Sequence, residues 1–209
     1  MDPLKQKFAA LACAVCLCAG LCIPAAAAGV YSDVPGGAWY ESAVESVTED
    51  GYMTGVDETH FAPTANVTRA TVVMVLWRME GCPEGNTPAT FSDVPAGAWY
   101  AQAVAWAQGA AIAQGDDAGR FQPNAYVTRQ ELAVLLTRYD RYKGVTLAEG
   151  ALNLYSDASK IGVWAVDGMK HAVGMGWLEG SAGLINPGGL ASRAQLAVIL
   201  QRMTTPANG

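Results

Sequence analysis

One pattern is written three times in this chain of 209 residues. "YSDVPGGAWYESAV" from Tyr31 returns as "FSDVPAGAWYAQAV" from Phe91 and, more loosely, as "YSDASKIGVWAVDGM" from Tyr155. The second half of the pattern follows suit. "FAPTANVTRATVVMVLWRM" from Phe61 becomes "FQPNAYVTRQELAVLLTRY" from Phe121 and "INPGGLASRAQLAVILQRM" from Ile185. Asp33 and Asp93 lie 60 residues apart, as do Arg69 and Arg129; Asp93 to Asp157 and Arg129 to Arg193 are both 64. Such self-similarity makes each copy one structural unit that cannot bury its apolar face alone. We place the repeats at 29–86, 87–150 and 151–209, the last with a short tail. The segments "GCPEGNTPAT" and "GVTLAEGALNL" between them have linker composition.

Within each copy the apolar spacing is helical. Tyr40, Ala43, Val44 and Val47 share a face, and Tyr100, Ala103, Val104 and Ala107 repeat it. The third copy is weaker, with Gly168 inside it, but Met169, Ala172 and Val173 still form a stripe. A second helix follows, with stripes at Val72, Val75, Leu76 and Met79, then Leu132, Leu135, Leu136 and Tyr139, then Leu196, Ile199, Leu200 and Met203. The glycine ending each first helix suits a left-handed C-cap. The expected class is all-α. Neither terminal repeat offers a polar capping face, so a closed arrangement, with the three second helices at its centre, is expected over an open solenoid.

The first 28 residues stand apart. Lys5 and Lys7 precede the apolar run "AALACAVCLCAGLCI", and "PAAAAG" supplies small residues up to Ala28. That is the order of a cleaved secretory signal, and Pro24 argues against a spanning helix. Cleavage removes every cysteine except Cys82, so neither an internal disulfide nor a cysteine metal site is expected. It also takes the formal charge from −6 to −7, because two lysines leave with one aspartate. An acidic chain without clustered Lys and Arg is a poor partner for nucleic acid or anionic lipid.

The second helices open on "TRAT", "TRQE" and "SRAQ". A Ser or Thr followed three residues later by Glu or Gln is a capping box. Thr128 with Glu131 and Ser192 with Gln195 complete it, whereas Thr68 with Thr71 forms only half. Capping leaves Arg69, Arg129 and Arg193 unexplained. A cation at a helix start opposes the helix dipole, at a cost of up to about 1 kcal/mol. An anion at that point would reverse the sign, since free amides and a guanidinium both attract carboxylate or phosphate. Two anions are open: the protein's own Asp33, Asp93 and Asp157, or an external ligand.

The recurring Asp, Trp, Pro and Thr-Arg motifs, in that order three times, resemble the S-layer homology domain family over nearly the whole chain after residue 28. The resemblance implies three repeats in a pseudo-threefold, three-pronged helical fold around a central three-helix bundle. It implies non-covalent anchoring of an exported protein to a Gram-positive-type cell wall through secondary cell-wall polysaccharide. In that family the glycan often carries a pyruvate ketal, held by the motif arginine in grooves between adjacent repeats. Carried over, this makes Arg69, Arg129 and Arg193 the anion-binding residues, with Asp33, Asp93, Asp157, Trp39, Trp99 and Trp164 as candidate groove residues. The location implied is the cell wall or surface layer, with other surface proteins as further partners and no membrane insertion once the signal is removed. Two alternatives stand beside this: a self-assembling surface-layer protein whose arginines are internal, and a small wall-modifying hydrolase.

Weaker signals point elsewhere. A Trp beside an apolar stripe belongs more often to the core than to a sugar platform. Asp57, Glu58, Asp116 and Asp117 fit turns better than a calcium site. His60 and His171 stand alone, and no zinc, phosphate-loop or nucleophile motif is present, so no catalytic residue, metal or cofactor is expected.

Overall fold

Each repeat folds as two helices joined by an irregular arm. The computed structural model describes residues 31–84 and 88–205. The leader expected over residues 1–28 lies outside the described residues. The first helices are α1 (Glu41–Glu49), α3 (Ala101–Gly109) and α5 (Val166–Gly174); the second are α2 (Arg69–Met79), α4 (Arg129–Tyr142) and α6 (Arg193–Thr204). Three short 3-10 turns, Leu152–Leu154, Ala158–Lys160 and Val163–Ala165, lead into α5. Among the described residues, extended pairing is limited to isolated bridges. The fold is all-α, as expected.

The second helices start as their sequences dictate. Thr68 Oγ1 accepts from Thr71 N–H, and both Thr128–Glu131 and Ser192–Gln195 form the complete reciprocal box. The first helices end differently from expectation in two copies. Gly51 takes a left-handed φ of 72° after α1, but the equivalent position in repeat 2 is Ala111, at 58°, and in repeat 3 Gly176, at 70°. Gly109 and Gly174 are the last helical residues, each two positions too early to serve. A side chain in that conformation is strained by about 1 kcal/mol.

Contacts between repeats run in one direction and close. Helix α2 packs on α3, α4 on α5, and α6 on α1, so each second helix lies against the first helix of the next repeat, and the third repeat reaches the first. Just before the second helices, three backbone bonds form a cycle: Val67 N–H to Ala191 O (2.9 Å), Ala191 N–H to Val127 O (2.9 Å), and Val127 N–H to Val67 O (3.0 Å). The second helices therefore meet at their N-terminal ends. Ala70 through Leu76 is buried at every position but Thr71. Gly168, a weak point for a lone helix, has a packing reason. It lies on Val134 of α4, and a Cβ there would come within 2.9 Å of Val134 Cγ2. His171, buried in α5, accepts from Ala148 N–H at Nδ1 and donates from Nε2 to buried Asp140 (3.0 Å), which ties the linker to α4.

Candidate functional site

The positions leading into each second helix bring the arginines against the next repeat. Arg69 and Ala70 donate their backbone N–H groups to Ala125 O and Pro123 O; Arg129 and Gln130 donate to Gly189 O and Pro187 O; Arg193 and Ala194 donate to Ala65 O and Pro63 O. The helix-start amides expected to attract an anion are thus already occupied. The same crowd of carbonyls answers why a cation stands there. The local field at the helix start is set by carbonyl oxygens of the neighbouring repeat as well as by the helix dipole.

Each arginine side chain adds two more bonds of the same kind. Arg69 donates from Nε to Phe121 O (2.8 Å) and from Nη2 to Gln114 O (3.0 Å). Arg129 donates to Ile185 O and Glu179 O (both 2.9 Å), and Arg193 to Phe61 O (2.7 Å) and Thr54 O (2.6 Å). One edge of each guanidinium, Nε with Nη2, is therefore fixed. Among the described residues, Nη1 of all three makes no hydrogen bond. The guanidinium of Arg193 sits 4.5 Å above the Phe61 ring and that of Arg69 4.9 Å above the Phe121 ring. Arg129 has Ile185 in the corresponding place, so it has no ring beneath it. Burial pulls all three below the ordinary arginine value, partly offset by nearby acids. They remain cations.

The aspartates do not pair with these arginines directly. Asp33 accepts from Phe61 N–H (2.8 Å) and Ala62 N–H (2.7 Å). Asp93 holds Phe121 and Gln122 (both 2.7 Å), and Asp157 holds Ile185 (2.8 Å) and Asn186 (2.9 Å). Ala62, Gln122 and Asn186 all have left-handed φ, at 57°, 60° and 50°. A carboxylate bonded to both amides over-determines that strained turn. Its opposite side presents the carbonyl of Phe61, Phe121 or Ile185 to the arginine. Asp and Arg are linked through a peptide rather than through an ion pair.

The tryptophans overturn the core reading. Trp39, Trp99 and Trp164 are 66%, 64% and 60% exposed. They lie just outside the helical stripe. In the first two repeats the next residue, Tyr40 or Tyr100, turns inward, and the indole stands edge-on to it at 5.2 Å. Trp99 and Trp164 line grooves. The first groove, of about 140 Å³, is formed by Thr54 and Gly55, by Thr71 and Arg78 of α2, by Trp99 and by Arg193. The second, of about 280 Å³, gathers Arg69, Gln114, Asp116, Glu131, Arg138 and Trp164, among others. Each groove draws on all three repeats.

Arg78 and Arg138 were missed by motif reading. With Arg202 they recur nine residues after Arg69, Arg129 and Arg193, a signal visible once the repeats are aligned. Arg78 donates to Tyr52 O, Arg138 to Ile112 O and Gln114 Oε1, and Arg202 to Gly176 O. Burial, and then the positive charges of Arg69 and Arg141, pull Arg138 below its ordinary value. Asp57 and Asp116 close turns: Asp57 accepts from Thr59 and His60 N–H, Asp116 from Ala118 and Arg120 N–H. Among the described residues, no group of three acidic, His or Cys side chains could hold a metal ion.

Comparison with known proteins meets this geometry at the repeats. The S-layer homology domain model matches residues 30–73 and 90–133. The chain belongs to the S-layer homology domain family. The surface-layer 125 kDa protein of Lysinibacillus sphaericus is 30% identical over 203 residues, covering 94% of this chain and 17% of that protein. The S-layer protein of Bacillus licheniformis is 26% identical over 181 residues, covering 86% of this chain and 20% of its own length. The exoglucanase XynX of Acetivibrio thermocellus is 27% identical over 172 residues, covering 81% and 16%. The chain spans about a fifth or less of the length of these relatives. An S-layer homology protein of this kind is located at the cell surface or wall. No helix among the described residues is long and apolar enough to cross a membrane.

Proposed function

We propose that this S-layer homology protein is a non-catalytic wall anchor that binds acidic secondary cell-wall polysaccharide, pyruvylated in the form that best suits it. Arg69, Arg129 and Arg193 hold the glycan's carboxylate. The observation that carries this reading is the half-used guanidinium. With Nε and one Nη2 hydrogen committed to carbonyls, the end-on fork of Nη1–H and the second Nη2–H is left for a carboxylate, already oriented. In both grooves an exposed indole stands at hand to stack on a sugar ring. The carboxylates of the second groove are engaged elsewhere, Glu131 by Thr128 and Asp116 by Arg120, which speaks against an acid–base pair for glycoside hydrolysis. Asp33, Asp93 and Asp157 act indirectly, by setting the turns whose carbonyls seat the arginines.

Cosedimentation with wall sacculi, before and after mild acid removal of the polysaccharide, tests the reading. Binding should be lost on stripping. Binding that survives stripping would sink it. The second reading, self-assembly without glycan, is favoured by one feature: every arginine already has protein partners. It predicts ordered assemblies in the absence of any wall material.

A further inference from the structure

The two grooves are not equal, and the position that separates them is the fourth residue of the capping box. In α4 it is Glu131, whose Oε2 accepts from Thr128 N–H (2.8 Å) and Thr128 Oγ1 (2.6 Å). The charge that completes the cap also lines the second groove beside Arg69. An anion entering there meets a fixed carboxylate. In α2 the same position is Thr71, bonded to Thr68 Oγ1 through its own N–H (3.2 Å) and hydroxyl (2.9 Å). That helix forgoes half its box, and the first groove gains a lining with no carboxylate at all. Arg193 and Arg78 both face this groove, and among the described residues neither makes an ion pair. The second groove also holds the Asp116–Arg120 pair (2.8 Å). In repeat 3 the box residue is neutral Gln195, but Arg202 is already paired with Glu179 (3.2 Å), and Arg129 lacks an aromatic seat.

We propose that the residue three past the helix cap sets the anion affinity of each groove, and that the groove of Thr71, Arg78 and Arg193 is the principal glycan site. The inference rests on the anchoring reading above and adds to it a rank order and a second cation. A half-formed cap in α2 is then a trade of helix stability for a more positive groove. Arg78 acts as a second contact for the ligand's negative charge, opposite Arg193.

The test uses the full chain and a hexose methyl glycoside bearing a pyruvate ketal, followed by the indole NMR signals. Trp99 reports the first groove and Trp164 the second. The Trp99 signal should saturate first. Thr71→Glu should weaken that site about tenfold, and Glu131→Thr should tighten the Trp164 site by a similar factor, as one added or removed charge at close range implies. Arg78→Ala should weaken the Trp99 site alone. Thr71→Glu completes a capping box, so unfolding cannot account for its effect. If Thr71→Glu leaves the Trp99 titration unchanged, or Glu131→Thr fails to tighten the other, the inference is overturned while glycan anchoring stands. If the wild-type chain binds the glycoside in no groove, the anchoring reading falls and takes the inference with it.

Discussion

Arg193 and Arg129 occupy the same position in successive repeats and make the same two side-chain bonds to carbonyls. Only Arg193 has a phenyl ring beneath it; the residue whose carbonyl takes the Arg129 Nε bond is Ile185. Loss of the ring leaves the bonds intact, at 2.9 Å for both of Arg129's. Closure of the chain therefore depends on backbone carbonyls, which any sequence supplies, and on the aspartate that orients them. The aromatic seat is an addition that repeat 3 does without. On the proposed function, one guanidinium carries two separable jobs. The Nε edge ties repeats together, and Nη1 makes no hydrogen bond among the described residues.

The largest effect that can break this comparison is removal of the arginines. Arg193→Ala and Arg129→Ala each delete two inter-repeat bonds from a cation, which should cost about 3 kcal/mol in urea unfolding. Arg193→Ala should cost more by about 0.5–1 kcal/mol, because it also loses a cation–π contact. Equal losses would mean that the ring contributes nothing. Next comes Asp93→Ala, which frees the Phe121 and Gln122 amides and the left-handed turn, and should cost about 2 kcal/mol. It should weaken the Arg69 contact without touching Arg193, a difference readable in hydrogen exchange of the two arms. Ile185→Phe sharpens the comparison from the other side. It should stabilise the chain by about 0.5 kcal/mol if the new ring slides under Arg129, and destabilise it if the buried site has no room. The smallest effect is with acid. Burial pushes the Asp157 carboxyl up, but the Ile185 and Asn186 amides outweigh it and hold the group below its ordinary 3.8. Its stabilisation is therefore present above that pH and lost as pH falls through the lower folded value. Thermal melts from pH 5 to pH 3 should show a decline that Asp157→Asn flattens.

Much of this was legible in the residues. The repeat period, the six helices and the caps at Thr128 and Ser192 follow from spacing and local chemistry. The recurrence of Asp33, Asp93 and Asp157 was visible too, but their partners were not. A carboxylate and an arginine that recur together suggest an ion pair, and sequence carries no sign that a peptide lies between them. The tryptophans misled for a similar reason. Their neighbours form a helical stripe, and whether a residue just before the first turn joins it depends on the entry angle of the chain. Gly168 looked like a defect in a helix because its packing partner, Val134, belongs to another repeat. Contacts between repeats are what a periodic sequence conceals, since every copy looks alike and none says which neighbour it touches.

The division of labour within one guanidinium is the central claim, and nitrogen NMR of the arginine side chains reads it directly. With the pyruvate-ketal glycoside added to the labelled full chain, the Nη1 resonance of Arg193 should shift and sharpen. Its Nε, held on Phe61 O, should stay in place. An Nη1 signal indifferent to the glycoside, or an Nε that moves as far as Nη1, would contradict the account.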